Sequence, residues 1–81
     1  MKQIIIITGH NNFASGILSS LTMIAGAKDN IFAVDFLSDD NDESLESKFN
    51  KIISDNKDSE ILFVCDLMGG TPFKVTSKLA F

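Results

Sequence analysis

Arginine, tryptophan and tyrosine are absent from this chain of 81 residues, and its positive charge comes from seven lysines alone. Eleven acidic side chains outnumber them, and the formal net charge is -4 at pH 7. Proteins that bind nucleic acids or anionic membranes usually carry clusters of lysine and arginine. An acidic chain without arginine is therefore a poor candidate for either partner, and we expect no nucleic acid among its ligands.

Cysteine and long apolar runs are also scarce. Cys65 is the single cysteine, so the chain forms no internal disulfide and lacks the thiols of a zinc site. The longest purely aliphatic run covers only residues 4–7, far short of the roughly 20 residues that cross a membrane. That run is also too short and too close to Met1 to be the core of a secretory signal. We therefore expect a cytoplasmic protein in a reducing compartment.

The composition is that of a globular protein, with 44% apolar and 22% charged residues. The length leaves room for one domain, so we expect residues 1–81 to form a single domain. A chain this short buries only about 60–65% of its unfolded surface, which makes its stability marginal.

Apolar residues follow two alternating periods along the chain. Continuous apolar segments predict three strands that are buried on both faces, at residues 3–8, 31–36 and 61–65. Apolar residues at helical spacing predict three helices between and after them, at residues 13–25, at residues 45–53 and from Thr71 onward.

Polar residues mark where these helices begin. We expect one residue of the pair Asn11–Asn12 to cap the first helix. A capping box between Asp40 and Glu43 is expected for the second helix. Thr71 is a natural N-cap for the third helix, with Pro72 at its first position.

Strands that alternate with helices of this length predict an α/β fold with a parallel sheet. The expected architecture is a three-layer doubly wound sheet with the strand order 2-1-3. In that order the third strand lies at an edge, although it is as apolar as a central strand and carries no protecting charge. The chain also stops inside a helical pattern. We therefore expect a fourth strand, from a longer domain or from a partner chain, to cover this edge.

Two polar side chains follow neighbouring strands of this sheet. His10 comes just after the first predicted strand, and Asp66 comes just after the third. Ligands of open parallel sheets bind beyond the carboxyl ends of the strands, so we expect the two side chains to lie within hydrogen-bond reach. A carboxylate on one imidazole nitrogen fixes the tautomer and leaves the other nitrogen free as a base, nucleophile or metal ligand.

The segment after Asp66 contains a second candidate group, formed by Gly69, Gly70 and Thr71. Two glycines let backbone N–H groups approach a ligand closely, and the N-terminus of the following helix attracts anions. A histidine beside such a group suits phosphoryl transfer, which depends on positioning and charge neutralisation. Each residue also has a purely structural explanation, and the spacing alone does not separate a phosphoryl carrier from a small hydrolase.

Two sequence blocks resemble one protein family. Gly-His followed by Phe-Ala-Ser-Gly at residues 9–16, and Asp-Leu-Met-Gly-Gly-Thr-Pro-Phe at residues 66–73, are similar to motifs of the mannose-type enzyme IIA domain. That domain belongs to the bacterial phosphoenolpyruvate-dependent sugar phosphotransferase system. The resemblance covers nearly the whole chain in order, and the coincidence of two independent blocks makes it specific.

The resemblance implies a phosphotransferase component that works as a phosphohistidine relay in sugar uptake. By this analogy His10 accepts phosphate on Nε2 from phospho-HPr and donates it to a IIB domain, which is coupled to the membrane components IIC and IID. Asp66 holds the other ring nitrogen, while Gly69, Gly70 and Thr71 bind phosphate oxygens. The resemblance implies no metal and no other cofactor, and a homodimer for the full-length form.

The sequence departs from the family at three points. Asn11 stands where the family often has glycine, and Lys74 stands where it often has asparagine. The family domain is also considerably longer, with a fourth parallel strand and a fifth, antiparallel strand. We therefore expect residues 1–81 to be the N-terminal part of such a domain, incomplete at the C-terminus.

Three alternatives remain open. The phosphotransferase subunit of dihydroxyacetone kinase resembles the same family and would pass phosphate to a nucleotide bound on a kinase subunit. A receiver-like domain would be phosphorylated on Asp66 itself, but receivers hold Mg²⁺ with acids after the first strand, where this chain has Gly9, His10 and Asn11. A non-catalytic interaction module would keep only the fold.

Overall fold

The computed structural model describes residues 2–66 and 70–80. Three strands alternate with three helices, as the apolar pattern predicts. In chain order they are β1 (Gln3–His10), α1 (Phe13–Ala25), β2 (Ile31–Phe36), α2 (Asp42–Asp55), β3 (Glu60–Cys65) and α3 (Thr71–Ala80). The first strand extends two residues further than predicted, because Gly9 and His10 still pair with Asp35 and Phe36 of β2.

The sheet has the order β2-β1-β3 with every pair parallel, which confirms the predicted doubly wound arrangement. The central strand β1 pairs with β2 through Ile5 opposite Ile31 and with β3 through Ile4 opposite Ile61. This register brings the carboxyl ends of all three strands to one edge of the sheet. The described part of the chain contains no helix that is both long and apolar enough to cross a membrane.

The hydrophobic core lies between one face of the sheet and the helices α2 and α3. Alternate residues of a strand point to the same face, so Ile4 and Ile6 of β1 share this face and are fully buried. Leu45 and Phe49 of α2 are equally buried, and the Phe49 ring meets the Phe63 ring of β3 in a T-shaped contact at 5.6 Å. Val34 of β2 and Val75 of α3 complete the buried cluster.

The opposite face of the sheet is packed much less densely. Helix α1 contacts β1 and β2, and Ala14 is its one buried residue. The apolar residues of α1 recur at helical spacing, but Ile24 is 82% exposed, and Ile17 is 41% exposed. Leu62 and Val64 of β3, on the same side, are 59% and 40% exposed. The reason is geometric, because α1 covers β2 and β1 while no described element covers β3 on this face.

Helix α2 begins with a capping box that differs from the predicted one. Asn41 is the N-cap, and its Oδ1 accepts a hydrogen bond from the Ser44 N–H at 2.8 Å. The Ser44 hydroxyl oxygen accepts one in return from the Asn41 N–H at 2.8 Å. The prediction of a box from Asp40 to Glu43 was therefore wrong by one residue, since the helix begins at Asp42.

Asp40 instead organises the loop before α2. Its carboxylate accepts hydrogen bonds from the Leu37 N–H at 2.9 Å, from the Ser44 hydroxyl at 2.9 Å and from Lys48 Nζ at 2.7 Å. The hydrogen bond from Lys48 and those from Leu37 and Ser44 lower the pKa of Asp40 from 3.8 to about 2. The carboxylate form is thus the form that the folded chain stabilises.

Truncation of a buried methyl group on the core face is expected to destabilise the chain. Ile6→Val removes one methylene from a fully buried side chain and should lower the free energy of unfolding by about 0.5–1.5 kcal/mol. Ile24→Val, the same change at an 82% exposed position, is the matched control and should leave it within about 0.5 kcal/mol. Urea unfolding of both variants measures the difference, and equal losses would contradict the packing described above.

Acid should remove the stabilisation that Asp40 provides. Because the folded pKa lies below 3.8, this contribution is fully present above about pH 4 and is lost as the pH falls towards 2. Asp40→Asn should therefore flatten the loss of unfolding free energy over this window. Asp39→Asn, which changes an exposed neighbour outside the network, should retain the wild-type slope. Denaturant unfolding at several pH values tests this, and a wild-type slope in Asp40→Asn would contradict it.

Candidate functional site

His10 and Asp66 meet at the carboxyl edge of the sheet. His10 is the last residue of the central strand β1, and Asp66 directly follows β3. The strands β1 and β3 are paired neighbours in the sheet. The ring nitrogen Nδ1 of His10 lies 3.0 Å from Oδ2 of Asp66. The same oxygen accepts a hydrogen bond from the backbone N–H of His10 at 2.9 Å. The structure thus brings together the two residues that sequence analysis nominated from adjacent strand ends.

The contact at Nδ1 determines what the rest of the ring can do. A carboxylate only accepts hydrogen bonds, so in the neutral imidazole it favours a proton on Nδ1 and a lone pair on Nε2. The His10 side chain is 42% exposed and that of Asp66 is 16% exposed. The nitrogen with the free lone pair therefore belongs to the more accessible partner, while the carboxylate at the other nitrogen is sheltered from solvent.

Opposing effects act on the ionisation of Asp66. Burial by itself raises the pKa of the carboxyl group, because it disfavours the charged form. The hydrogen bonds from the backbone and the ring of His10, together with the charge of that ring, outweigh the burial and lower the pKa below its ordinary value. Asp66 is therefore ionised at neutral pH.

Gly9 permits the close approach of Asp66. A β-carbon added at Gly9 would lie 2.8 Å from Cγ of Asp66 and 2.5 Å from the ring of Phe13. Side chains larger than hydrogen would therefore push both neighbours away. The glycine that precedes the histidine in the first sequence block thus has a steric reason, which spacing in the sequence does not reveal.

Gly70 lies close to the Cε1–Nε2 edge of the His10 ring. A β-carbon added there would lie 2.7 Å from Cε1 and 3.3 Å from Nε2 of His10. Gly70 also occupies the N-cap position of α3, since its carbonyl oxygen accepts the hydrogen bond of the Lys74 N–H at 2.9 Å. The predicted N-cap at Thr71 was therefore wrong by one residue, and Thr71 is the first residue of the helix.

The remaining residues predicted to bind phosphate are Thr71 and Gly69. Thr71 is half-buried at the start of α3, directly after the glycine that touches His10. Gly69 lies outside the described residues. The structure therefore places Gly70 beside the Cε1–Nε2 edge of His10, and Thr71 is the next residue in the chain. This end of a helix presents N–H groups without helical partners, which favours anions.

Asn11 continues from the site in an unusual backbone conformation. Its φ of 51° lies in the left-handed region, where glycine is unstrained and asparagine is better tolerated than most residues. The Asn11 N–H donates to the carbonyl oxygen of Phe36 at 2.8 Å. The substitution of asparagine for the family's frequent glycine is therefore compatible with the turn that ends β1.

Lys74, the second departure from the family pattern, forms an ion pair with a residue of α2. Its Nζ lies 2.7 Å from Oδ2 of Asp42, and Lys78 pairs with Glu46 in the same way at 2.8 Å. Both pairs join α3 to α2. Because the lysines are 71% and 70% exposed, each pair contributes little to stability, and the packing of Val75 in the core is the main attachment of α3.

Sequence analysis missed one aromatic neighbour of the site. The ring of Phe36 lies 5.8 Å from the ring of His10 at an interplanar angle of 88°. Phe36 ends β2 and is the register partner of His10. The strand order 2-1-3 already implies that the end of the second strand lies beside the end of the first, so the predicted topology contained the signal. The apolar pattern alone identified Phe36 only as a strand residue.

Known proteins share this arrangement of elements. The family model described as "PTS system fructose IIA component" (EIIA-man) matches residues 4–80. The chain is 32% identical over 75 residues to the PTS system fructose-specific EIIA component of Bacillus subtilis, covering 91% of the chain and 51% of that protein. It is 30% identical over 80 residues to the PTS system mannose-specific EIIAB component of Escherichia coli K12, covering 98% of the chain and 25% of that protein.

A solved structure agrees with these sequence relatives. The chain superimposes with a TM-score of 0.88 and 40% identity on the crystal structure of the phosphotransferase system component EIIA from Streptococcus agalactiae. The match covers 99% of the chain and 59% of that structure. The chain thus spans between a quarter and about three fifths of the length of these relatives.

A methyl group at Gly70 should disturb His10. Gly70→Ala places its β-carbon against Cε1 of the ring, so the ring must move and its contact with Asp66 should lengthen. Such overpacking costs about 1–3 kcal/mol and should shift the ¹⁵N resonances of both ring nitrogens.

Gly16→Ala is the matched control, because a β-carbon there meets nothing within 4 Å. In the interior of α1 this substitution should raise the unfolding free energy by about 0.5–1 kcal/mol and leave the His10 resonances in place. Unchanged His10 resonances in Gly70→Ala would show that the ring does not depend on this close approach.

Proposed function

Because the chain belongs to the mannose-type enzyme IIA family of the phosphotransferase system, described as the PTS fructose IIA component family, we propose that it carries a phosphoryl group on His10 during sugar uptake. The resemblance of the two sequence blocks to this family is thereby confirmed. The observation that carries the proposal is the contact of Nδ1 with Asp66 at 3.0 Å, with Gly70 on the Nε2 side of the ring.

His10 is the nucleophile in this proposal. The carboxylate at Nδ1 keeps the proton on that nitrogen, so the lone pair of Nε2 is free to attack phosphorus. The Nε2–P bond forms as the bond between phosphorus and the donor breaks, and the departing donor atom takes the electron pair of that bond. The proton on Nδ1 stays in place throughout.

Asp66 stabilises the charge that this attack creates. The imidazole becomes positively charged as Nε2 uses its lone pair, and the ionised carboxylate lies against the opposite nitrogen. A hydrogen bond between charged groups is stronger than a neutral one. The contact with Asp66 therefore strengthens as the phosphoryl group arrives, which is what a group that lowers the barrier must do.

The start of α3 receives the phosphoryl oxygens. Gly70 lies against the Nε2 edge of His10, and Thr71 follows as the first residue of the helix. Backbone N–H groups and the Thr71 hydroxyl at this end of the helix suit an anion that carries developing negative charge. Gly69, which lies outside the described residues, belongs to the same proposed phosphate-binding segment.

The partners of this carrier follow from the family. We propose HPr as the phosphoryl donor and a IIB domain as the acceptor, coupled to membrane components IIC and IID. We propose that residues 1–81 form the N-terminal part of a IIA domain, a proposal supported by their covering only 51% of the fructose-specific relative and 59% of the solved structure. In the full-length form the domain is proposed to be a homodimer.

Intact-protein mass spectrometry tests the carrier role. The chain is incubated with phosphoenolpyruvate, enzyme I and HPr and held at alkaline pH, where phosphohistidine is stable. Wild type should gain one phosphoryl group, and His10→Ala should gain none. Full labelling of His10→Ala would overturn the assignment of His10.

Asp66→Asn gives the second arm of this experiment. The amide keeps the shape of the side chain but loses its charge, so labelling should be slower by about 10- to 100-fold, the rate equivalent of one charged hydrogen bond. Asp39→Asn, an exposed position away from the site, is the charge-matched control and should label at the wild-type rate. A label that is stable to acid and lost in base would instead indicate an acyl phosphate on an aspartate.

A further inference from the structure

We propose that Phe36 is a positioning residue for His10. Its ring holds the imidazole in the orientation in which Nδ1 meets Asp66 and Nε2 faces the start of α3. This inference rests on the proposed function and adds to it a residue outside both sequence blocks. Its physical basis is the perpendicular contact between the two rings, whose centroids lie 5.8 Å apart.

The hydrogen bond to Asp66 does not fix the imidazole by itself. The His10 side chain is 42% exposed, and the torsion that turns a histidine ring is broad rather than sharply three-fold. Gly70 limits movement of the ring towards α3, but a ring tied at Nδ1 can still swing in the opposite direction and carry Nε2 away from α3. A contact elsewhere on the ring is needed to remove this freedom.

Phe36 supplies that contact from a rigid position. It is the register partner of His10 in the neighbouring strand, so both side chains project from the same face of the sheet. Phe36 also packs against the buried core cluster that contains Val34 and Leu45. Perpendicular aromatic pairs at this distance are favourable arrangements, and the anchored ring therefore restricts the mobile one.

The backbone of Phe36 also helps to position His10. Its carbonyl oxygen accepts the hydrogen bond of the Asn11 N–H at 2.8 Å. This bond ties down the residue directly after His10, which has the left-handed φ of 51°. Side chain and backbone of one residue thus hold the ring of His10 and the turn that follows it.

Phe36→Leu tests the proposal, with Phe32→Leu as its matched control. Phe32 lies on the same strand and the same face, packs against the same core cluster and pairs with Ile6 rather than with His10. Both variants lose an aromatic ring from the core face. Only the first loses a contact with the histidine.

Two measurements on folded protein separate positioning from general stability. In Phe36→Leu the ¹⁵N resonances of Nδ1 and Nε2 should move towards each other, because a freer ring averages its tautomers. The maximal rate of labelling by phospho-HPr should fall about 10-fold, with the concentration of donor at half-maximal rate unchanged. Phe36→Tyr, which keeps the ring, should restore both values, and Phe32→Leu should leave both at the wild-type level.

These measurements test the positioning role of Phe36 separately from the carrier role of His10. Wild-type ¹⁵N resonances and labelling rate in Phe36→Leu would overturn it, and so would equal changes in Phe32→Leu. If Phe36→Leu does not fold, Phe36→Met fills similar volume without a ring and takes its place in both measurements. If wild type is not labelled at all, the carrier role fails, while the ¹⁵N resonances still show whether Phe36 orients His10.

Discussion

One carboxylate oxygen, Oδ2 of Asp66, connects the two strands that carry the site. It accepts the backbone N–H of His10 at 2.9 Å and lies 3.0 Å from the Nδ1 of the same residue. The backbone and the ring of His10 therefore both contact a single atom at the end of the neighbouring strand. The missing side chain at Gly9 makes this approach possible, and the ring then meets Gly70 at the start of α3. The tautomer of the ring depends on this interaction, and the position of the free nitrogen depends on it together with the contact to Phe36.

The two faces of the sheet have different roles in building the site. His10 and Phe36 project from the face that α2 and α3 cover, where Phe49 and Leu45 are fully buried. A well-packed core tolerates little displacement, so the residues around the histidine ring are held in place by the core beneath them. The face under α1 is more open, with Leu62 and Ile24 exposed. The site is thus assembled on the better-packed half of the domain, and the apolar surface of the other half lies away from it.

Particular elements show where sequence reasoning succeeds and where it fails. The strands were predictable because each consists almost entirely of apolar residues, and the parallel order follows from their alternation with helices. The end of β1 was placed too early, because Gly9 and His10 look like loop residues until β2 supplies partners for them. The capping box of α2 was misplaced by one residue. The Asp40 carboxylate does not cap the helix but accepts hydrogen bonds from Lys48 and the Leu37 N–H. The helical spacing of α1 was predicted, but its exposure was not, because an amphipathic pattern does not state how wide a sheet lies beneath it.

The sequence by itself determined the fold class, the strand order, the family and the pair His10 and Asp66. It could do so because strand ends, turn glycines and polar residues are local signals, and the topology of parallel sheets collects them at one edge. Only the tertiary structure decided that one oxygen of Asp66 meets both the ring and the backbone N–H of His10, why Gly9 and Gly70 need to lack side chains, and that Phe36 lies against the ring. These are distances between residues far apart in the chain. They arise from register and packing, which no local pattern of residues contains.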